Sequence, residues 1–318
     1  MQMFVAGATG ALGVPVVRRL ISDGHTVIGL AKTRQRTSQI ESFGAKAVIA
    51  DALDAEALRK VVVASRPDVV VHMLTAIPDR GPMWASDLDA TNALRTKGTK
   101  NLLSAAIDVG ARRFVAESMV FIYGFGDLGD DLVTESDAVR RSCPRAWLKP
   151  ALDALVSEED EILQATKAGQ IEGICLRFGG FYGPGTGTDR MVHLLQRRLL
   201  PIPKRALSRG APWIHIKDAA AAVIAGLSRG KAGEVYNIVD DEPLPVTVMV
   251  RGLADAIHAP RPWHIPMWFV RLAAPFAVAT WLNTTLRVSN AKAKKDLAWQ
   301  PRYKTIHEGL RDFVKVEP

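Results

Sequence analysis

Apolar positions along this chain alternate between short continuous runs and helically spaced sets. Runs at 3–6, 26–31, 46–50, 69–74 and 113–118 read as strands, and the segments 12–23, 35–43, 55–65 and 87–109 between them carry helical periodicity. A strand that is apolar at nearly every position has both faces covered, so the pattern predicts parallel strands in a doubly wound α/β sheet. Beyond the fifth strand the rhythm loosens. A sixth strand follows Gly173, a strand at Trp213–Ile216 precedes an alanine-rich helix, and another runs from Val235 to Asp240. The expected organisation is a sheet domain over 1–175 and a smaller, mainly C-terminal domain over 176–318, interleaved with the first near 175–245.

The first strand runs directly into glycines at 7, 10 and 13, and the apolar helical pattern begins immediately afterwards. Glycine lets a backbone turn sharply and approach a ligand where a Cβ would collide. A helix opening there points unpaired N–H groups at the turn, which is the geometry of a pyrophosphate site. The G-x-x-G-x-x-G spacing, in its strand–loop–helix–strand setting, resembles the extended short-chain dehydrogenases/reductases, the NAD-dependent epimerase/dehydratase family. Further along, Tyr182-Gly183-Pro184-Gly185 and the stretch from Val288 to Pro301 match the same pattern, so the resemblance covers nearly the whole chain. It implies a Rossmann-type sheet with a small C-terminal substrate domain. It also implies that Gly7, Thr9, Gly10, Ala11, Leu12 and Gly13 hold the cofactor phosphates, and that Leu74, Thr75 and Ala76 line the cofactor after the fourth strand. Asp51, with Ala52 beside it, would accept a hydrogen bond from the adenine amino group. The other reading of Asp51 is a cap for the helix from Ala55, a role that Asp54 fills better. Asn92, in the family's N-x-x-x-x-x-G-T pattern ending at Gly98-Thr99, is expected to fix backbone turns near the site.

Charge decides between the two nicotinamide cofactors. A carboxylate at the end of the second strand would bind the ribose 2′-hydroxyl of NAD, and no Asp or Glu occurs between Asp23 and Glu41. Lys32, Arg34 and Arg36 stand there instead, which favours NADP over NAD; a basic, solvated helix start is the alternative. Over its 318 residues the chain is 48% apolar and 23% charged, with a net charge of +8 and a pI near 9.6, an ordinary globular composition with a basic balance. Basic residues gather at Arg190, Arg197, Arg198, Lys204, Arg205 and Arg209, without a nucleic-acid motif, so we read them as a solvated face. Cys143 and Cys175 have neither metal-ligand spacing nor the numbers for a disulfide framework, and no metal site is expected. With no room for a secretory signal before the first strand, a cytoplasmic protein is expected. The segment Trp263–Leu282 is rich in aromatics but interrupted by Pro266, Arg271 and Pro275, so no membrane span is expected. A pocket wall, an interfacial anchor or simple burial remain open for it, burial being the default. The partner is a small molecule, and a homodimer is open.

The resemblance is uneven at the catalytic centre. Counting back from Tyr123, Ser118 and Met119 stand where the family carries two small hydroxyl residues, and the second of these is its usual catalytic one. The family's tyrosine and lysine, four residues apart, align near Leu152 and Val156, so the usual proton transfer is missing. The remaining catalytic candidates are Ser118, Tyr123 and Tyr182. The helix here carries Glu158, Glu159, Asp160 and Glu161 in a row, a run expected mostly to face water. His215 reads as a strand residue at the pocket edge and Asp218 as a helix cap. The expected function is an NADP-linked oxidoreductase or epimerase/dehydratase-like enzyme acting on a sugar nucleotide or an apolar carbonyl or alcohol. The alternative is a catalytically silent NADP-binding protein.

Overall fold

The computed structural model describes residues 1–313 except Arg141 and Arg205. Strand β1 (Gln2–Ala6) leads through the glycine turn into helix α1 (Gly13–Ser22). The units β2 (Thr26–Ala31), α2 (Arg34–Ser42), β3 (Lys46–Ile49), α3 (Ala55–Ser65) and β4 (Val69–His72) follow in strict alternation. Then come α4 (Asp89–Ala93), α5 (Thr99–Asp108), β5 (Arg113–Met119), strand β6 (Asp127–Val133), the long α6 (Lys149–Lys167) and β7 (Glu172–Phe178). The second half contributes β8 (Gly180–Tyr182), α7 (Gly187–Gln196), β9 (Ile202–Pro203), β10 (Trp213–His215), α8 (Ile216–Arg229) and β11 (Val235–Ile238). It continues through α9 (Val246–Ala256), β12 (His264–Ile265), α10 (Met267–Ala273) and, after a short turn at Pro275–Ala277, β13 (Thr285–Val288).

Seven parallel strands form the central sheet in the order β11-β7-β5-β4-β1-β2-β3. The order reverses beside β1, and in open α/β sheets a ligand binds at that reversal, over the carboxyl ends of the strands. Side chains alternate across the sheet: Val5, Val71, Val115 and Leu176 pack with Val16, Leu20 and Val223 of α1 and α8, while Phe4, Val70 and Phe114 pack with Leu58, Leu102 and Ile162 of α3, α5 and α6. Each strand is therefore covered twice, which is why its sequence is continuously apolar.

Outside the sheet, β8 pairs with β10, β9 with β12, and β6 with β13, so segments from both halves of the chain build the second lobe. Its core gathers Tyr182, Trp213, Met249, Leu253, Ile306 and Leu310. Among the described residues, no helix is long and apolar enough to cross a membrane.

The continuous helix expected over 87–109 is interrupted. A wide π-helical turn, Leu94–Gly98, separates α4 from α5 and carries Arg95 into the interior at 7% exposure. Such turns break the 3.6-residue period, so the pattern of apolar positions did not reveal it.

Candidate functional site

The cofactor-type loop is built by close packing. A Cβ on Gly7 would lie 2.2 Å from the Met73 carbonyl oxygen, and one on Gly13 would lie 2.0 Å from that of Gly7, so both positions need glycine simply to let loop, helix and β4 meet. Gly7 also has φ +97°, in the left-handed region. Gly10 differs: it is exposed, and its Cβ would meet only the Gly7 carbonyl oxygen at 3.3 Å. Its N–H donates to that oxygen at 3.0 Å, closing the turn. Helix α1 then begins with neither a side-chain cap nor an acidic residue in its first turn, leaving its positive end to an anion. Ala11 is exposed and Thr9 half-buried at this turn, whereas the side chain of Leu12 points into the core.

Arg36 reaches the same loop, and two further cations stand just before it in the sequence, after β2. The Arg36 Nη1 donates to Thr9 Oγ1 at 2.7 Å, and Lys32 Nζ stands 2.8 Å from Asp51 Oδ2 with 70% of its side chain exposed. Arg34 is exposed at the start of α2, which has no acidic residue in its first turn. The Lys32 ammonium, with the Leu53 N–H, holds the Asp51 carboxyl below the usual carboxylate range. Asp54 caps α3 by accepting from the Ala57 N–H at 3.1 Å, which leaves the Asp51 carboxylate to Lys32 and the Leu53 N–H. Ala52 is buried, its carbonyl held by Asn101 Nδ2 at 2.9 Å. After β4, Leu74 is half-buried while Thr75 and Ala76 are exposed, and the Ala76 N–H is fixed by Thr91 Oγ1 at 3.0 Å. The glycine cradle and the uncapped helix thus fit a dinucleotide.

The three hydroxyls singled out in the sequence are not brought together. Ser118 is fully buried on β5, and its Oγ has no hydrogen-bond partner among the described residues. Tyr123 is also fully buried: its hydroxyl donates to Asn237 Oδ1 at 2.9 Å and accepts from Arg177 Nη1 at 2.8 Å, and burial pushes its pKa upward. Arg177 in turn grips Glu159, with Nε and Nη2 at 2.9 and 2.6 Å from its carboxylate. Tyr182 lies in the second-lobe core, donating to the Thr305 carbonyl at 3.2 Å, with burial again raising its pKa. Both tyrosines, named as catalytic candidates from the sequence, have their hydroxyls hydrogen-bonded within packed cores. Met119, half-buried, touches both the sheet core and an aromatic cluster that includes Phe121 and Phe276. Leu152 and Val156 of α6 are buried in that same cluster.

Two further expectations change. Glu158 and Glu159 do not face water: the sheet-facing side of α6 buries both, at 1% and 3% exposure, because the helix lies against β5 and β7 over its length. Asp218 does not cap α8. His215 does, its Nδ1 accepting from the Lys217 N–H, while the Asp218 carboxylate binds the N–H groups of Arg302 and Tyr303 at 3.0 and 2.9 Å.

A buried ionisable group that the sequence reading passed over sits beneath the carboxyl ends of β4 and β5. His72 Nε2 lies 2.8 Å from Thr99 Oγ1 and 3.3 Å from Glu158 Oε1, and Arg95 Nε lies 3.7 Å from Glu158 Oε2. The Leu74 N–H donates to His72 Nδ1, so the neutral ring carries its proton on Nε2; burial lowers its pKa to about 3. Burial raises Glu158 to about 8 and Glu117 of β5 to about 7, with Arg95 only partly offsetting it. Glu117 was legible as a lone carboxylate within the apolar run Val115-Ala116-Glu117. It precedes the strand end by two residues and shares a strand face with Met119. Chemically, the arrangement keeps a protonated carboxylic acid near neutral pH at the edge where a sheet of this type binds its ligand.

Comparison with known proteins completes the picture. The model of the NAD dependent epimerase/dehydratase family matches residues 3–239. The chain is 32% identical to a 3-diazoavenalumate denitrifying reductase of a Streptomyces species, covering 98% of this chain and 99% of that protein. It is 25% identical to the UDP-glucose 4-epimerase of Vibrio cholerae over 78% of this chain and 76% of that one. Among solved structures, the UDP-glucose 4-epimerase of Thermotoga maritima with UDP-glucose shares the fold at a TM-score of 0.81, with 20% identity and coverage of 99% and 98% of the two chains. A Bacillus anthracis dTDP-glucose 4,6-dehydratase in complex with NAD does so at 0.77, with 18% identity and 99% and 96% coverage. A glycine cradle at the sheet reversal, a matching family model over most of the chain and a full-length relative at this identity together mean that the chain belongs to the NAD dependent epimerase/dehydratase family.

Proposed function

We propose that this protein is a cytoplasmic, NADP(H)-dependent reductase of a small, largely apolar molecule, working without a tyrosine–lysine pair. The observation that carries the reading is the set of cations that follow β2: Arg36 bonded to Thr9 of the glycine loop, Lys32 exposed beside Asp51, Arg34 exposed at the start of α2, and no carboxylate at the end of β2. Gly10, Ala11 and the first turn of α1 would hold the pyrophosphate, Lys32, Arg34 and Arg36 the additional phosphate, and Asp51 the adenine. Leu74, Thr75 and Ala76 would line the remainder. Bound NADPH supplies the reducing equivalent.

The chain's own groups provide the rest. Met119 and the aromatic cluster beside it offer an apolar wall where the family carries a hydroxyl, which favours an apolar acceptor over a sugar nucleotide. Glu117, on the strand face that carries Met119 and with its pKa raised to about 7 by burial, is the acid; Ser118, on the opposite face of β5 and without a hydrogen-bond partner among the described residues, acts through the position of that strand end. Tyr123 and Tyr182 serve the scaffold. The relative at 32% identity is named a reductase, which supports reduction over epimerisation.

A catalytically silent NADP-binding protein is the second reading, favoured by aliphatic Leu152 and Val156 where the family's acid and base would stand. Titration calorimetry with NADPH and NADH, followed by nicotinamide absorbance during incubation with apolar aldehydes, ketones, quinones and sugar nucleotides, separates the readings. Tight NADPH binding with turnover of apolar acceptors is expected. Binding without turnover of any acceptor supports the silent reading, and turnover confined to sugar nucleotides overturns the apolar one.

A further inference from the structure

Helix α10 is apolar at every position but Arg271, yet it buries none of its residues. Trp268, Phe269 and Leu272 on it, with Trp263 and Leu199 nearby, are 53–67% exposed. They form one patch. The Trp263 indole N–H donates to the Arg198 carbonyl at 3.1 Å, β12 between Trp263 and α10 pairs with β9, and the rings of Trp268 and Phe269 lie 5.8 Å apart. The remaining large apolar residues of the same segment behave differently: Phe276 is 5% exposed, and Trp281 stacks on the buried Trp213 at 4.6 Å. The segment expected by default to be core is therefore core only in its second part. A concentrated set of large exposed apolar side chains marks a surface that something covers.

The charge around it identifies what. No Asp or Glu occurs in 190–217 or in 256–295, the two stretches that build the patch. Arg197, Arg198, Lys204 and Arg271 are all exposed there, whereas Arg209 is removed from consideration by its pairs with Asp127 and Asp130 at 2.9 and 3.1 Å. Arg205 lies outside the described residues. A second copy of the chain joined by a two-fold axis would set this cationic patch against itself, which like-charge repulsion opposes. An anionic lipid surface meets both requirements: tryptophan, phenylalanine and leucine enter the boundary between headgroups and acyl chains while the cations meet lipid phosphates.

We propose that the face formed by α10 and the adjoining β9–β12 pair docks this protein peripherally on anionic membrane. No spanning helix is required. The test is co-sedimentation of the full-length, NADPH-saturated protein with vesicles of phosphatidylcholine alone or mixed with phosphatidylglycerol. Binding is expected only to the mixed vesicles, falling with added salt. Replacing both aromatics (W268A/F269A) or reversing two charges (R197E/R198E) should each lower it by about tenfold or more. NADPH affinity, measured in parallel, should be unchanged in both variants. Failure to bind mixed vesicles, or equal binding to phosphatidylcholine alone, overturns the proposal. So does a dimer in light scattering that W268A/F269A converts to monomer, because the face then belongs to a second copy.

Discussion

Replacing Lys32 with glutamate tests the cofactor assignment most directly. In the structure Lys32 pairs with Asp51 through an exposed contact at 2.8 Å. An exposed pair of this kind is worth about 1 kcal/mol or less, so the ammonium exchanges readily to a phosphate. A charge-assisted phosphate contact contributes on the order of 1–3 kcal/mol. With Lys32 and Arg36 both contributing, and the Asp51 and Thr9 contacts given up, the net preference for NADPH over NADH should be about 2–4 kcal/mol, or roughly 30- to 1000-fold. Lys32→Glu removes one contact and sets a carboxylate against the phosphate, so NADPH binding should weaken by about 10- to 100-fold. NADH, which lacks that phosphate, should change by less than about threefold. Titration calorimetry at constant ionic strength measures both. Equal affinity of the native protein for the two cofactors would refute the reasoning, and so would a Lys32→Glu variant that loses both equally, since the lysine would then act by positioning Asp51.

Three other outcomes are expected. Gly10→Val should abolish nucleotide binding with Tm nearly unchanged, because its side chain stands toward solvent, whereas Gly13→Ala should lower Tm because its Cβ would lie 2.0 Å from the Gly7 carbonyl oxygen. Tyr123→Phe should cost about 1–3 kcal/mol in denaturant unfolding, since Arg177 and Asn237 each lose a partner; Ser118→Ala should instead keep stability and lower kcat by about tenfold. Stability should fall as pH rises: Glu158 and Glu117 go from an ordinary 4.5 to about 8 and 7 on folding, so the native state binds the extra protons. The stability they contribute is fully present below pH 4.5 and lost as pH climbs through 7 to 8, and Glu158→Gln should flatten that slope in urea unfolding between pH 5 and 9. An unchanged slope would show that Glu158 is not the titrating group.

Local pattern was enough for the sheet. Continuous apolar strands, amphipathic helices and a glycine at each crowded step of the first turn are properties of adjacent residues, and those residues carry them wherever the chain goes. The glycine turn from Gly7 to Gly13 was legible for the same reason, because it is made within one strand–turn–helix unit. What the sequence could not show was which partner each polar residue would meet. Glu159 looks like one member of an acidic surface run until α6 is laid against β7 and Arg177, 18 residues later, reaches it. Tyr123 looks like a spare proton donor until Asn237, 114 residues away, takes its hydroxyl. Arg95 lies buried in a π-turn that the apolar period does not show, and α10 looks like core until packing leaves it outside. Burial and pairing are sums over distant segments, and the pKa values of Glu117, Glu158 and His72 follow from that burial; the fold alone decides them.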